Sequence, residues 1–445
     1  MRVTILMIII LLVGFSSPNA IEVSGDVWGE WTSADNPYIV VGDLWVPQDS
    51  TLIIGEGCYL EFQDNYRLYV DTSATFQVLG TESDSVIFTP IDTVDGWGGI
   101  RLLMSNENII IRYALLEYGR NFLPSGEGGA IYLSDSELLV EHCEFRFNYS
   151  DMGASVYSNN SRLQVLESYI HNNVAFIGAG IFCYSFGSTL PTTISQNIIS
   201  YNHASNGGGF SAMGLDSIVF DHNVVFNNFA AMGGGVEMVY CDPDIYITNN
   251  SILNNGGYFG SGIHLCDGSD AIIINTIVWN NDIYLQDFSA PEISYSNIDG
   301  SWVGEGNINV APMFVDTVNG DYSLMVGSPC IDSGDPNPPH DPDGSRSDMG
   351  AFYYPQVNNC AYIVGDVNLD NNFNGLDIVY GVAYFKNTGP PPPYQCLCAY
   401  GSLWNASGDV NGMCDYNGLD ITYGVSYFKG IGPEPVPCPD CPPVE

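Results

Sequence analysis

The feature that most constrains this chain is an internal repeat with a period near 26 residues. Each repeat starts with a glycine-rich turn that leads into a short strand of alternating apolar residues. One position of this turn falls at residues 130, 155, 180, 209, 235 and 262. An asparagine recurs with the same spacing, at Asn148, Asn173, Asn202, Asn228, Asn255 and Asn281. Because the two markers advance together, the repeat predicts a β-solenoid of stacked coils.

The repeat also predicts which side chains fill the interior. One inward column is Ile131, Val156, Ile181, Phe210, Val236 and Ile263. A second is Val140, Val165, Ile194, Phe220, Ile247 and Ile273. Successive coils lie about 4.8 Å apart in such a structure. We therefore expect the repeated asparagines to stack, with each side-chain amide bonding to the next.

These repeats resemble the right-handed parallel β-helix family, the pectate-lyase-like superfamily. Residues 38–103 look like the opening coils of such proteins, and residues 328–335 and 341–352 look like the segment that closes many secreted bacterial ones. The resemblance implies an all-β, right-handed parallel β-helix over residues 21–355, with its closing segment at about 328–354. It implies almost nothing about a reaction, because one fold supports many functions.

The N-terminus and the net charge point to an exported protein. Residues 1–20 have a positive start, an apolar run and small residues, which predict a signal peptide cleaved near Ala20. The mature chain is expected to be secreted, extracellular or on a bacterial cell surface, without membrane insertion. With 10 Lys+Arg against 51 Asp+Glu, the net charge of −41 disfavours nucleic acid as a partner. The 12 cysteines suit disulfides outside the cytoplasm.

Residues 356–445 contain a second, unrelated repeat, in which a polar loop and a helix-like segment recur 43 residues later. An EF-hand-type loop binds Ca²⁺ through oxygens at positions 1, 3, 5, 7, 9 and 12. In the first copy these are Asp366, Asn368, Asp370, Asn372 (through its carbonyl), Asn374 and Asp377. In the second copy they are Asp409, Asn411, Asp415, Asn417 and Asp420. Met413 takes the fifth position there, so a weaker second site is expected.

The paired loops are similar to a type I dockerin, a small α-helical calcium-binding module. This resemblance implies docking on a cohesin-like or cell-surface partner. Positions 10 and 11, which help to choose the cohesin in that family, are Gly375-Leu376 and Gly418-Leu419 here, and this departs from the usual polar residues. Six cysteines surround the module, and disulfides are favoured over a zinc site because the chain is exported. Six cysteines allow 15 pairings, among which the sequence does not choose.

One column beside the interior carries candidate chemistry. It contains Tyr132, Tyr157, Phe182, Ser211, Glu237, His264 and Tyr284. We expect it to face outward, where stacked aromatic rings would suit sugar rings and Glu237 with His264 could act as an acid–base pair. The alternative is that the aromatics only stabilise the sheet face. Residues 100–300 contain five arginines and no lysine, so the basic catalytic residues usual in polysaccharide lyases are scarce.

Three functional hypotheses remain. The first is a secreted β-helix that binds or acts on polysaccharide and uses a calcium-binding, dockerin-like tail for docking or surface attachment. The second is a divergent polysaccharide lyase or glycoside hydrolase, and the third is a non-catalytic, adhesin-like surface protein. The sequence leaves open whether the protein is an enzyme.

Overall fold

The computed structural model describes residues 20–105, 109–121, 126–186, 190–355, 362–386, 388–392, 396–397 and 403–438. It divides into two compact units, one that ends at Asn309 and one that begins at Val310. Residues 1–19 of the predicted signal peptide lie outside the described residues, as do Cys360, Cys398 and Cys441.

The first unit is built from short parallel strands. In chain order they are β1 Ile21–Asp26, β2 Gly29–Trp31, β3 Tyr38–Val46, β4 Thr51–Gly55, β5 Tyr59–Phe62, β6 Leu68–Val70, β7 Thr75–Leu79, β8 Val86–Pro90, β9 Ile100–Leu103, β10 Ile109–Arg112, β11 Ala114–Glu117, β12 Ile131–Ser134, β13 Glu137–Glu141, β14 Glu144–Arg146, β15 Val156–Asn159 and β16 Arg162–Leu166. They continue as β17 Tyr169–His171, β18 Ile181–Tyr184, β19 Thr192–Ser195, β20 Ile198–Ser200, β21 Phe210–Met213, β22 Ser217–Asp221, β23 Val224–Phe226, β24 Val236–Val239, β25 Asp244–Thr248, β26 Ser251–Leu253, β27 Ile263–Cys266, β28 Ile272–Ile274, β29 Ile277–Trp279, β30 Ile283–Leu285, β31 Glu292–Ser294 and β32 Asn297–Ile298.

Each full coil supplies one strand to each of three faces. Face A contains β6, β9, β12, β15, β18, β21, β24, β27 and β30; face B contains β2, β4, β7, β10, β13, β16, β19, β22, β25, β28 and β31; face C contains β5, β8, β11, β14, β17, β20, β23, β26, β29 and β32. Face B is an eleven-stranded sheet of its own. Strand β3 pairs with both β5 and β6, so faces A and C join there into one sheet. The predicted parallel β-helix is thereby confirmed.

Both predicted inward columns lie in the core. Every member of each column has zero exposed surface. The register agrees with the repeat, since Val156 pairs with Ile181 on face A and Val165 pairs with Ile194 on face B. Because strand side chains alternate between the two sides of a sheet, a one-residue slip would expose the whole column. The burial of these columns therefore fixes the register of each coil.

The predicted asparagine ladder is also present. Each side-chain amide nitrogen from Asn148 to Asn255 donates to the Oδ1 atom of the next asparagine, at 2.9–3.1 Å. A second ladder, which the sequence analysis missed, joins Asn197, Asn223 and Asn250 between faces B and C. Both ladders satisfy buried backbone groups at the corners of the coils.

The segment between faces C and A, which we call the long turn, covers part of the column that the sequence predicts to face outward. Long turns of neighbouring coils bridge each other, as at Met152 and Ile177. A glycine in each turn, at φ of 59–62°, lies against the column that starts at Tyr132. A Cβ on Gly153 would be 2.6 Å from the Cβ of Tyr157. Consequently Tyr157 is only 5% exposed and Phe182 only 2%, and the expectation of an open sugar-binding column here is wrong.

The described residues of the second unit form two antiparallel strand pairs and two α-helices. Strand β33 Phe314–Asp316 pairs with β34 Asp321–Leu324, and β35 Cys396–Leu397 pairs with β36 Leu403–Trp404. Helix α1 spans Gly375–Phe385 and helix α2 spans Gly418–Phe428. Among the residues described, no helix has both the length and the apolar composition that a bilayer crossing requires.

The two helices repeat the same local structure, as the duplicated sequence indicates. Asn374 and Asn417 cap the helix N-termini, and each forms a capping box with the aspartate three residues later. Gly381 of α1 and Gly424 of α2 allow close packing, because a Cβ on Gly424 would be 2.5 Å from Cδ1 of Ile378. The duplication therefore produces two equivalent loop–helix units that pack through equivalent glycines.

Candidate functional site

Glu237 and His264 pair on β24 and β27, at neighbouring positions of face A, as the repeat predicts. His264 Nδ1 is 3.4 Å from Glu237 Oε1, and the Ser211 hydroxyl donates to Glu237 Oε2 at 3.1 Å. The side-chain amide of Asn206 also donates to Glu237 Oε1, at 3.2 Å. The structure therefore joins these residues in one polar cluster.

Solvent access limits what this cluster can do. Glu237 is 3% exposed and His264 is 2% exposed, because the long turns lie over them. A Cβ on Gly233 would be 2.5 Å from the Cβ of Glu237. A general base has to come within hydrogen-bonding distance of its substrate, and the covering turns occupy that space. The pair lies on the outer side of face A, as the alternation of the strand residues predicts, but it is covered by the turns. Its catalytic role stays a prediction.

In the first polar loop of the second unit, carboxylates of Asp366, Asp370 and Asp377 lie within 4.8 Å of one another. Asp366 and Asp377 are buried, whereas Asp370 is exposed. Burial raises the pKa of Asp377, and the nearby negative charge of Asp366 adds to the effect. None of the ion pairs found among the described residues involves this loop. The loop thus holds negative charge that lacks a cationic partner.

The remaining predicted ligands of this loop lie beside the three carboxylates. Asn368 Oδ1 accepts a hydrogen bond from the Asp370 N–H at 2.8 Å. The Asn374 side-chain amide donates to Asp370 Oδ2 and to the Asn372 carbonyl, both at 3.3 Å. Carboxylate, amide and carbonyl oxygens are the ligands that Ca²⁺ prefers. The donor set therefore fits the predicted ion, with Asp366, Asn368, Asp370, Asn372, Asn374 and Asp377 as the residues that would hold it.

The second loop has a poorer set of donors. Asp409 and Asp420 are buried, and burial together with the charge of Asp409 raises the pKa of Asp420 to about 6. Asn411 and Asn417 lie near by, because Asn411 donates to Asp420 and Asn417 donates to Asp415 at 2.9 Å. Met413 is 69% exposed and supplies no oxygen from its side chain.

One cysteine pairing of the second unit is resolved. Cys414 and Cys438 form a disulfide beside Asp409. Cys438 therefore has no free thiolate to offer to a zinc ion, and the disulfide alternative is confirmed for this pair. Within the part of the chain that is described, Asp409 is grouped with these two sulfurs instead of with two more carboxylates. The second loop is accordingly the weaker candidate for a hard cation.

A group of aromatic side chains that the sequence analysis missed lies beside the first asparagine ladder. We call Tyr118, Phe147, Tyr169, Tyr201, His203 and Phe229 the aromatic band. Phe147, Tyr169, Tyr201 and Phe229 are 38%, 37%, 53% and 39% exposed. Rings stack between coils, with centroids 5.2 Å apart for Tyr118 and Phe147 and 5.0 Å apart for His203 and Phe229. For Phe147, Tyr201, His203 and Phe229 the signal was a position directly before or after a ladder asparagine. Tyr118 and Tyr169 have no such neighbour.

Charged side chains fix one part of the aromatic band. Arg146 bonds to Glu117 at 2.8 Å and to Glu144 at 3.0 Å, and His171 Nε2 is 3.0 Å from Glu144 Oε1. Burial alone would raise the pKa of Glu144, but the His171 hydrogen bond and the Arg146 charge lower it overall. The Tyr169 ring stacks on His171 with centroids 3.9 Å apart. These contacts hold the aromatic surface in a defined orientation.

The fold and this solvent-facing band define the chain as a parallel β-helix protein with an exposed aromatic surface beside its first asparagine ladder. Residues 179–306 match the family model described as "right handed beta helix region". The metabotropic glutamate receptor-like protein R of Dictyostelium discoideum is 30% identical over 161 residues. That match covers 35% of this chain and only 10% of the relative. No solved structure gives a significant match.

Proposed function

We propose that the protein is an exported, polysaccharide-binding β-helix and that the aromatic band is its sugar-binding surface. The observation that carries this proposal is the set of four exposed aromatic side chains on neighbouring coils. An exposed aromatic surface on a folded protein marks an interaction site. A tyrosine ring, which is apolar but has a polar hydroxyl, suits a ligand that has both apolar and hydrated surfaces. Coils that repeat in register also suit a ligand whose own units repeat.

Binding is favoured over catalysis because of where the carboxylates lie. The strongest acid–base candidate, Glu237 with His264, is buried under the long turns. The alternative of a divergent lyase or glycosidase would need those turns to move. The aromatic band, in contrast, is accessible in the structure as it stands. Export, which the N-terminal residues predict, would bring this surface to extracellular polysaccharide.

The second unit would serve attachment. We infer that its first loop binds Ca²⁺ and that the ion-bound loops dock on a cohesin-like or cell-surface partner. This part of the proposal is supported by the donor set of Asp366, Asp370 and Asp377 and by the duplication of the loop–helix unit. The ion would offset the close negative charges of the loop, which would stabilise its folded form.

The sugar-binding proposal is tested with a panel of soluble plant, algal and microbial polysaccharides, by affinity electrophoresis and calorimetry. We expect the Tyr201→Ala/Phe229→Ala double variant to bind its best glycan at least about tenfold more weakly, the loss typical of a binding hot spot. The matched control is Tyr246→Ala, since Tyr246 is 40% exposed on face B, away from the aromatic band. Equal affinity in both variants would contradict the proposal.

A further inference from the structure

Two arginines at the outer side of face A lack an anionic partner. The buried column that contains Tyr132 continues upstream, because Arg101 on β9 pairs in register with Tyr69 and Tyr132. Arg101 is 5% exposed, and its Nη1 atom donates to the Ile100 carbonyl at 3.0 Å. Its Nη2 atom is enclosed and has no hydrogen-bond acceptor. A buried guanidinium with an unused donor is costly unless something binds it.

Arg67 lies next to Arg101 and is in a similar state. Its two terminal nitrogens donate to the Tyr69 hydroxyl at 3.3 Å and to Asn121 Oδ1 at 3.1 Å. Its Nε atom is enclosed and has no acceptor. Burial first, and then the charge of Arg67, lower the pKa of Arg101 to about 9, although Tyr69, Tyr132 and Glu127 act in the opposite direction. The two guanidinium groups therefore repel each other.

Three other arginines of the β-helix, Arg112, Arg146 and Arg162, each pair with a glutamate. Arg120 instead donates to the Thr93 carbonyl and lies over the Tyr149 ring. Over the described ranges, neither Arg67 nor Arg101 has a carboxylate within 4.0 Å. With 51 acidic residues in the chain, carboxylates are abundant. No carboxylate of the described residues pairs directly with either arginine, so their positive charge is compensated only in part, by Glu127.

The backbone is shaped to admit both guanidinium groups. A Cβ on Gly98 would lie 2.3 Å from Cγ of Arg67, and a Cβ on Gly99 would lie 2.8 Å from Nη1 of Arg101. Gly99 also has a φ of 78°, which side-chain-bearing residues rarely adopt. Any other residue at these two positions would push the arginines apart or outward. The two consecutive glycines thus leave room for both arginine side chains.

We propose that Arg67 and Arg101 together bind one small oxyanion, with sulfate as the model ligand. Guanidinium groups match the planar and tetrahedral oxygens of such anions through paired N–H donors. The anion would accept from Nη2 of Arg101 and from Nε of Arg67 and would offset their mutual repulsion. It would come either free from solution or as a sulfate ester on a sugar. The site does not depend on the aromatic band or on calcium.

The test measures sulfate binding to the full chain by calorimetry, together with thermal unfolding at constant ionic strength. Wild type should bind sulfate and gain roughly 3–6 °C in Tm at saturation. Arg67→Gln should lose the calorimetric signal and most of the gain. Arg112→Gln is the control, because Arg112 pairs with Glu141 and its side chain is 42% exposed. Arg112→Gln should retain both the calorimetric signal and the gain in Tm. That gain includes the general stabilisation that sulfate gives to any folded protein, which is therefore present in every variant.

A second variant separates an anion site from a merely structural arginine. Arg101→Met should lose sulfate binding yet unfold at or above the wild-type Tm in sulfate-free buffer, because it removes a buried cation that is only partly compensated. Glucose 6-sulfate and glucose are compared in parallel, so binding of the ester identifies the sugar-borne source and binding of inorganic sulfate alone identifies the free ion. No sulfate binding by wild type, or undiminished binding by Arg67→Gln, would overturn the proposal.

Discussion

The three aspartates of the first loop differ in what their carboxylates already do. Asp377 accepts hydrogen bonds from the backbone N–H groups of Val367, Asn368 and Asn374, so it organises the loop before any ion is present. Its replacement by alanine should abolish calcium uptake, partly because the loop itself would lose its shape. Asp370 is exposed and makes fewer such contacts. It is therefore the better residue for testing ion binding separately from folding.

Asp370→Asn should weaken calcium binding by on the order of tenfold, since it removes one charged oxygen ligand and keeps the side-chain shape. The stability of the calcium-free protein should change little. Calorimetric titration of the full chain with Ca²⁺ gives the affinity, and circular dichroism gives the stability. The matched control is Asp415→Asn in the second loop, which should leave the tighter binding event unchanged. If the two variants behave alike, the first loop is not the principal site.

Asp348 should make the stability of the second unit depend on pH. It is 4% exposed, and burial raises its pKa from 3.8 to about 7, with Asp341 and Asp332 adding like charge. Between these two values the unfolded chain has lost a proton that the folded chain retains. Stability should therefore fall as the pH rises from about 4 to 7. Asp348→Asn should flatten this slope, as measured by chemical unfolding across that range.

At the scale of one structural element, the asparagine ladder ties each coil to the next. The amide nitrogen of Asn202 donates to Asn228 and to the Ile170 carbonyl, and its Oδ1 accepts from Asn173. Asn202 is 1% exposed, so water cannot replace these bonds. Loss of the side chain would leave buried donors and acceptors unsatisfied on two neighbouring coils.

Asn202→Ala should lower the free energy of unfolding by about 2–4 kcal/mol, because each unsatisfied buried group costs about 1–3 kcal/mol. The control is Asn254→Gly, at an exposed turn position with a φ of 52° that glycine adopts without strain. It should change stability by less than about 0.5 kcal/mol. Denaturant unfolding compares both variants with wild type. A loss below about 1 kcal/mol for Asn202→Ala would mean that the ladder contributes little.

The sequence predicted those elements whose residues recur at a fixed step. The inward columns and the asparagine ladder recur from coil to coil between residues 131 and 281, so the periodicity alone located them. The burial of Glu237 was missed because it depends on the path of the long turn, which the alternation of strand residues does not report. The aromatic band was missed for a different reason. Phe147 and Tyr201 come directly before a ladder asparagine, whereas His203 and Phe229 come directly after one, so the members of the band have no strict period.

For the whole β-helix, one charge in an inward column should prevent folding. Val236 has no exposed surface and contacts both neighbouring coils through its strand, so Val236→Asp buries an uncompensated carboxylate. We expect a loss above about 4 kcal/mol and an insoluble or unfolded product. Val219→Asp on face B is the control, since Val219 is 36% exposed and should tolerate the change. Folded Val236→Asp protein with wild-type stability would refute the assigned register.

Among the described strands of the β-helix, each coil pairs with the coil before it and the coil after it, and no pairing joins the first coil to the last. A barrel has a strand number set by closure, but a solenoid has none. Duplication of one repeat within the gene would therefore lengthen the exposed surface without breaking any existing contact. The number of coils, and with it the length of the exposed surface, is a quantity that such a lineage can vary in single steps.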